Sequence, residues 1–186
     1  CLQEKISSQM EVARPMFQVG FKCDPPEKGD RGIYQEFVGD LAAEVLFGES
    51  SELYLSLYEQ GLIDPSFGGG LDTVPNMAIL TASGDSDDPE AVRDAIIEQA
   101  RIIAEEGIPE ADFMRIKRST LGSRIRSLDS FDSVCFRICA YHFSGFDYFR
   151  FPELYESVKA EDVQKFIGQV VVPQRCSLSV IEPKEE

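Results

Sequence analysis

The chain has 186 residues, 43% of them apolar, enough for one domain with a real core. Eighteen Lys+Arg against 33 Asp+Glu give a net charge of −15, which repels nucleic-acid phosphates and anionic lipid; no apolar run reaches the ~20 residues of a membrane span. A single histidine, His142, excludes a two- or three-histidine zinc site inside this chain.

Residues 1–14 read as a polar lead-in ended by Pro15, and 15–186 as the single domain. Cys1 in place of a starting Met suggests a segment of a longer protein. From Met16 to Lys22, Phe17, Val19 and Phe21 alternate with polar neighbours and predict a strand with one buried side. After the turn-rich Asp24–Asp30, the spacing of Ile33, Phe37, Val38, Leu41, Ala42, Val45 and Leu46 predicts an amphipathic helix over 31–47, closed by Gly48. Ser50 or Ser51 caps a shorter helix with Leu53, Tyr54, Leu57 and Tyr58 on one stripe, ended by Gly61. Phe67 to Leu71 and Met77 to Ala82, joined at Pro75-Asn76, read as an antiparallel hairpin.

Asp88-Pro89-Glu90 combines a capping acid, a proline at the first helical position and an acid in the first turn. It opens a helix whose Val92, Ile96, Ala100 and Ile103 face inward as far as Gly107. Helices over 109–127, 131–143 and 160–167 follow, then a last strand with Cys176, Leu178 and Val180 on one side. Strands and helices fall in blocks and the hairpin requires antiparallel pairing. The expected fold is therefore α+β, an antiparallel-containing sheet with helices on one face and the other face half exposed or covered by another domain.

Few residues suggest chemistry. Gly68-Gly69-Gly70 lacks the Lys-Ser/Thr and helix start of a phosphate loop, leaving either a bulge in an ordinary strand or close approach of a ligand or partner backbone. Cys135, Cys139 and His142 share one side of a predicted helix, as either core packing or a partial soft-metal set. Five cysteines without a C-x-x-C pair predict no disulfide framework, with Cys23, Cys139 and Cys176 as reduced packing residues; the expected compartment is cytoplasmic. Arg115, Lys117, Arg118, Arg124 and Arg126 reverse the acidic field along one helix, giving either a basic contact surface or a solvated face paired with acids. No G-x-S-x-G elbow or other self-sufficient active site is present, which counts against an independent small-molecule enzyme.

Taken together, Leu46-Phe47-Gly48-Glu49-Ser50-Ser51-Glu52-Leu53-Tyr54-Leu55-Ser56-Leu57-Tyr58-Glu59-Gln60-Gly61-Leu62-Ile63 resembles a recurrent segment of insulinase/pitrilysin-type zinc peptidases and mitochondrial processing-peptidase-like proteins. That segment has a small-Gly-x-x-Ser-x-Leu helix start and a Glu-x-Gly-Leu helix end before a strand. The element order around it is also similar to the second-half domain of the family, over residues 12–182, with the bacterial predicted-protease branch nearest.

The resemblance implies a clamshell of homologous α+β halves around a peptide, with zinc in one half only. That half carries H-x-x-E-H and a distal Glu, which this sequence lacks. The chain would then be the non-catalytic half, without cofactor, partnered by a zinc-binding half domain or subunit. In active members the non-zinc half contributes an Arg and, seven residues on, a Tyr that stabilise transition-state charge. Those places fall at Leu57 and Asp64, neither competent, although a shift of one or two residues would bring Tyr58 near the site. Peptide or interface contacts are expected at Tyr54, Tyr58, Phe67, Gly68, Gly69, Gly70 and Met77. Two functional expectations follow: a substrate-enclosing or regulatory half of a zinc-dependent peptidase, or a structural assembly module of the same family without proteolytic activity.

Overall fold

Side-chain alternation decides the sheet. In the computed structural model, which describes residues 3–74 and 76–184, Met16–Lys22 (β2) buries Phe17, Val19 and Phe21 and turns Met16, Gln18 and Lys22 to solvent. The other strands are Lys5–Met10 (β1), Gly68–Val74 (β3), Met77–Asp85 (β4) and Cys176–Pro183 (β5). They form one sheet in the order β1-β5-β2-β4-β3, antiparallel except for β1, which runs parallel to β5. The expected hairpin is β3–β4. Asn76 takes the left-handed conformation, φ 66°, that a tight turn demands, and Pro75 lies outside the described residues.

The helices are Asp30–Phe47 (α1), Glu52–Glu59 (α2), Pro89–Glu106 (α3), Glu110–Arg126 (α4), Phe131–Phe143 (α5), Phe151–Glu156 (α6) and Ala160–Val170 (α7). On the inner face of the sheet, α1 lies over β3 and β4, α3 lies over β2 and β5, and α7 packs on both helices. Their apolar stripes, Phe37, Leu41 and Leu46 from α1, Val92 and Ile96 from α3, Val163 and Ile167 from α7, meet Phe21, Leu80 and Leu178 in one continuous core. The helix starts follow the capping signals. Ser51 accepts a hydrogen bond from the Tyr54 amide at 3.1 Å, and Asp88 accepts one from Ala91 at 3.0 Å behind Pro89. No helix among the described residues is long and apolar enough to cross a membrane.

Three expectations change. Residues 5–10, read as part of a lead-in, form β1; all six of its side chains are exposed, so no buried alternation marked them. The six-residue α6 went unpredicted because it is too short to show a period. Cys135, Cys139 and His142 are exposed rather than packed in the core. The helix α5 buries only Tyr141, half a turn from that side. Cys23 and Cys176 are buried as expected, and burial pushes the Cys23 thiol up to about 11.

Candidate peptide-facing site

The helices cover one face of the sheet and leave the other open. Strand register turns that open face into two rows of small or polar side chains. Gly20 pairs with Ser177 on one side and Thr81 on the other, and Thr81 pairs with Gly70; Gln18 pairs with Ser179 and Ser83, and Ser83 with Gly68. Both rows cross β5, β2, β4 and β3. A Cβ added to Gly68 or Gly70 would meet nothing within 4 Å, so the backbone of β3 is accessible there. Met16 and Ile79 flank the rows on either side, and the Ile79 side chain reaches over Gly20, its Cδ1 2.9 Å from where a Cβ would stand. The result is a shallow trough running across the strands, ending at the free edge of β3.

Gly69 faces inward, and a Cβ there would overlap the Phe47 ring and the Thr81 carbonyl. The triple glycine therefore serves two ends: Gly69 lets the strand approach α1, and its neighbours keep the outer face low. Beside this segment Phe67 is buried among Phe17, Phe47 and Tyr54, with ring centroids 6.0–6.3 Å apart. Tyr54 is buried too and stacks on Tyr58, which is 51% exposed. Of the expected contact residues, Tyr58 and Gly69 are thus exposed at one end of the hairpin, Gly69 by its backbone, and Gly68 and Gly70 are half-buried with open space on the outer face. Tyr54 and Phe67 support them from the core, and Met77 sits apart at the hairpin turn, opposite Val74.

Leu57 is 1% exposed and belongs to the core. Asp64 accepts a hydrogen bond from the Ser66 amide at 2.8 Å and lies 3.6 Å from Arg14; Ser66 holds its carboxyl below the usual range. Neither position offers a donor to a substrate carbonyl. Among the described residues no group of three or more His, Cys, Asp or Glu is placed to hold a metal ion. His142, the one histidine of the chain, stands exposed beside Phe143, and a single histidine does not make the two- or three-histidine set of a catalytic zinc.

The basic helix does not act as one surface. Lys117 is buried and donates to the Glu156 and Val158 carbonyls at 2.7 and 2.8 Å. Arg124 also turns inward. It donates to Asp40 at 2.7 Å and to the Tyr141 hydroxyl at 3.1 Å, and lies over the Phe37 ring at 4.7 Å. Tyr141 in turn donates to Glu36, and Arg137 donates to Tyr148 at 3.3 Å. Burial pushes the Asp40 carboxyl up to about 6, opposed by Arg124 and reinforced by Glu36. Only Arg115, Arg118 and Arg126 stay exposed on α4, and Arg115 is engaged by Asp112 and Ser50. Neither this network nor the trough was visible from spacing alone, because each depends on long-range register.

Residues 1–120 match the profile of the family described as "Peptidase M16 inactive domain". The chain belongs to that family. As an M16 inactive domain it is 27% identical over 181 residues to the uncharacterised zinc protease YmfH of Bacillus subtilis (strain 168), covering 95% of this chain and 41% of that protein. Its fold is that of a candidate M16-like peptidase from Alicyclobacillus acidocaldarius, with TM-score 0.90 and 20% identity, over 97% of this chain and 44% of the other. The inactive peptidase domain of a candidate zinc protease from Bordetella parapertussis, a domain of the same extent solved alone, gives TM-score 0.77 and 15% identity over 96% of both chains. This M16 inactive domain spans less than half the length of the first two relatives.

Proposed function

We propose that this M16 inactive domain is the substrate-enclosing half of a zinc-dependent peptidase acting on peptides, paired with a homologous half or subunit that carries the zinc. The observation that carries this reading is the open sheet face. Its two rows of small or polar side chains and accessible β3 backbone leave space against which an extended peptide can lie, and a second half closing over that face would cover it. This chain contributes wall and edge rather than reacting groups: backbone donors and acceptors along β3, and Tyr58 at its end. Its net charge favours peptide over nucleic-acid partners.

The competing reading, an assembly module without proteolysis, is favoured by Leu57 and Asp64, which are committed to the core and to Ser66 and Arg14. A cleavage assay on the full-length protein, with and without chelator, separates the two. Chelator-sensitive cleavage that falls when Gly70→Trp fills the trough supports the enclosing role. No cleavage in any condition favours the assembly module, and chelator-sensitive cleavage by the 186-residue chain alone refutes both.

A further inference from the structure

The trough on the open sheet face has a second end, at β1. Residues paired across neighbouring strands share a face, so Ile181, paired with Met16 on β2 and Ser8 on β1, stands on the open side. Ile6 and Met10, two residues either side of Ser8, alternate to that face, while Lys5 turns to the covered side and meets Glu90 of α3 at 2.7 Å. Ile6, Met10 and Met16 are 51%, 49% and 44% exposed, and Ile181 at their centre is half-buried. Because Ser8 is small, the four apolar side chains make a shallow cup rather than a ridge. Ile6 pairs with Ser179 and so continues the row that runs through Gln18, Ser83 and Gly68, which brings one end of a peptide lying in that row over the cup. The other apolar side chains of this face, Val74, Met77 and Ile79, are interrupted by Lys22 and Asp72, both paired with Ile79.

We propose that this cup holds one bulky, uncharged apolar side chain of the enclosed peptide and so selects which peptides the domain takes. The inference rests on the reading of the open face as the peptide-facing side. Size favours a single side chain over a protein partner. Three half-exposed side chains present ~200–300 Å², about a third of the ~800 Å² that each partner gives to a stable interface and close to the ~150–250 Å² of one aromatic residue. Charge sets the chemistry. Across β5, β2, β4 and β3 neither row holds a charged side chain, although 27% of the chain is charged. The charges bordering the cup are acidic: Asp85, opposite Met16, and Glu4, two residues before Ile6. The nearby bases are engaged, Lys184 lying 3.9 Å from Glu11 and Arg14 being shared by Asp64 and Asp87. An acidic side chain is therefore repelled, a basic one gives up hydration to an apolar floor, and an apolar one gains by burial. Two flexible methionines let the cup fit leucine or phenylalanine alike.

The test uses the full-length protein with chelator present, so that peptide is held and not cut. The probe is a capped, uncharged decapeptide of Gly, Ser and Thr with one central photo-leucine, whose diazirine labels the side chains it touches. Labelling is expected at Ile6, Met10, Met16 or Ile181 by mass spectrometry. Unlabelled peptide with Leu or Phe at the central position should compete ~10-fold better than the same peptide with Glu or Lys. Met10→Ser combined with Met16→Ser, both at exposed positions, should reduce labelling ~5-fold or more with unchanged circular dichroism, whereas Leu55→Ser on α2 should leave it as it is. Labelling confined to β3 and β4 and indifferent to the methionine changes, or equal competition by the Leu, Glu and Lys peptides, overturns the cup and leaves the enclosing role standing. A probe that labels no residue of this domain overturns both.

Discussion

Replacing Arg124 with Met keeps a stem over the Phe37 ring and removes the charge that Asp40 and Tyr141 share. Breaking a fully buried pair costs ~3–5 kcal/mol, mostly from the charge left behind. The Arg124 and Asp40 side chains keep 12% and 26% of their exposure, so solvent screens part of the loss, and ~2–3 kcal/mol is expected at neutral pH. For a domain of this size that lowers Tm by about 4–12 °C.

Protonation gives the prediction a sign. Asp40 rises from an ordinary 3.8 to about 6 on folding, so the fold binds this proton more tightly than the unfolded chain. Its contribution is fully present below 3.8 and is lost as pH rises through about 6. Removing Arg124 takes away the charge that opposes burial, so the carboxyl moves higher still in the variant. Urea unfolding of both proteins should therefore show the larger gap at neutral pH and a smaller one near pH ~5, where Asp40 holds its proton in each. Adding Asp40→Asn to the variant should restore most of the loss in a double-mutant cycle. A loss below ~0.5 kcal/mol, or one of equal size at both pH values, would refute the role given to this pair.

Lys117→Met strands two carbonyls that Lys117 now satisfies, and should cost ~2–4 kcal/mol by urea unfolding, against less than ~0.5 for Arg118→Ala on the exposed side of the same helix. Gly69→Ala should destabilise by ~1–3 kcal/mol because the new methyl meets Phe47 and the Thr81 carbonyl; Gly68→Ala and Gly70→Ala, with open space around them, should stay within ~0.5, and equal losses at all three would contradict the register. Leu57→Arg buries an unpaired charge and should cost more than ~4 kcal/mol, seen as loss of the cooperative melt, whereas Tyr58→Arg on the exposed side of α2 should melt as the wild type does.

Local chemistry made most elements readable before their contacts were known. Phe17, Val19 and Phe21 declared β2, Asp88-Pro89 declared the start of α3, and Ser51 the start of α2, because alternation, caps and fixed φ act within a few residues. The open sheet face was likewise expected from segregated strands and helices. What escaped depended on partners far along the chain. The side chains of β1 are uniformly exposed, and on α5 Phe131, Phe136 and Phe143 face out together with Cys135, Cys139 and His142, so a rule that sends apolar residues inward misplaced that side of the helix. Spacing put Lys117 and Arg124 on a basic helix. Their inward turn follows from acceptors on α6, the loop after it and α1, which no local pattern announces.

The parallel pairing of β1 with β5 sets an order of assembly. Ser177 donates to the Gln3 carbonyl across 174 positions, and Lys5 registers with Leu178. Closing a loop that long costs ~2–3 kcal/mol more entropy than closing a ten-residue hairpin, and β1 recovers it with no buried side chain of its own. That cost leads to the expectation that β1 joins the sheet only after Cys176–Pro183 has paired with β2. Amides in Lys5–Met10 should exchange through local opening while those of β2 wait for global unfolding.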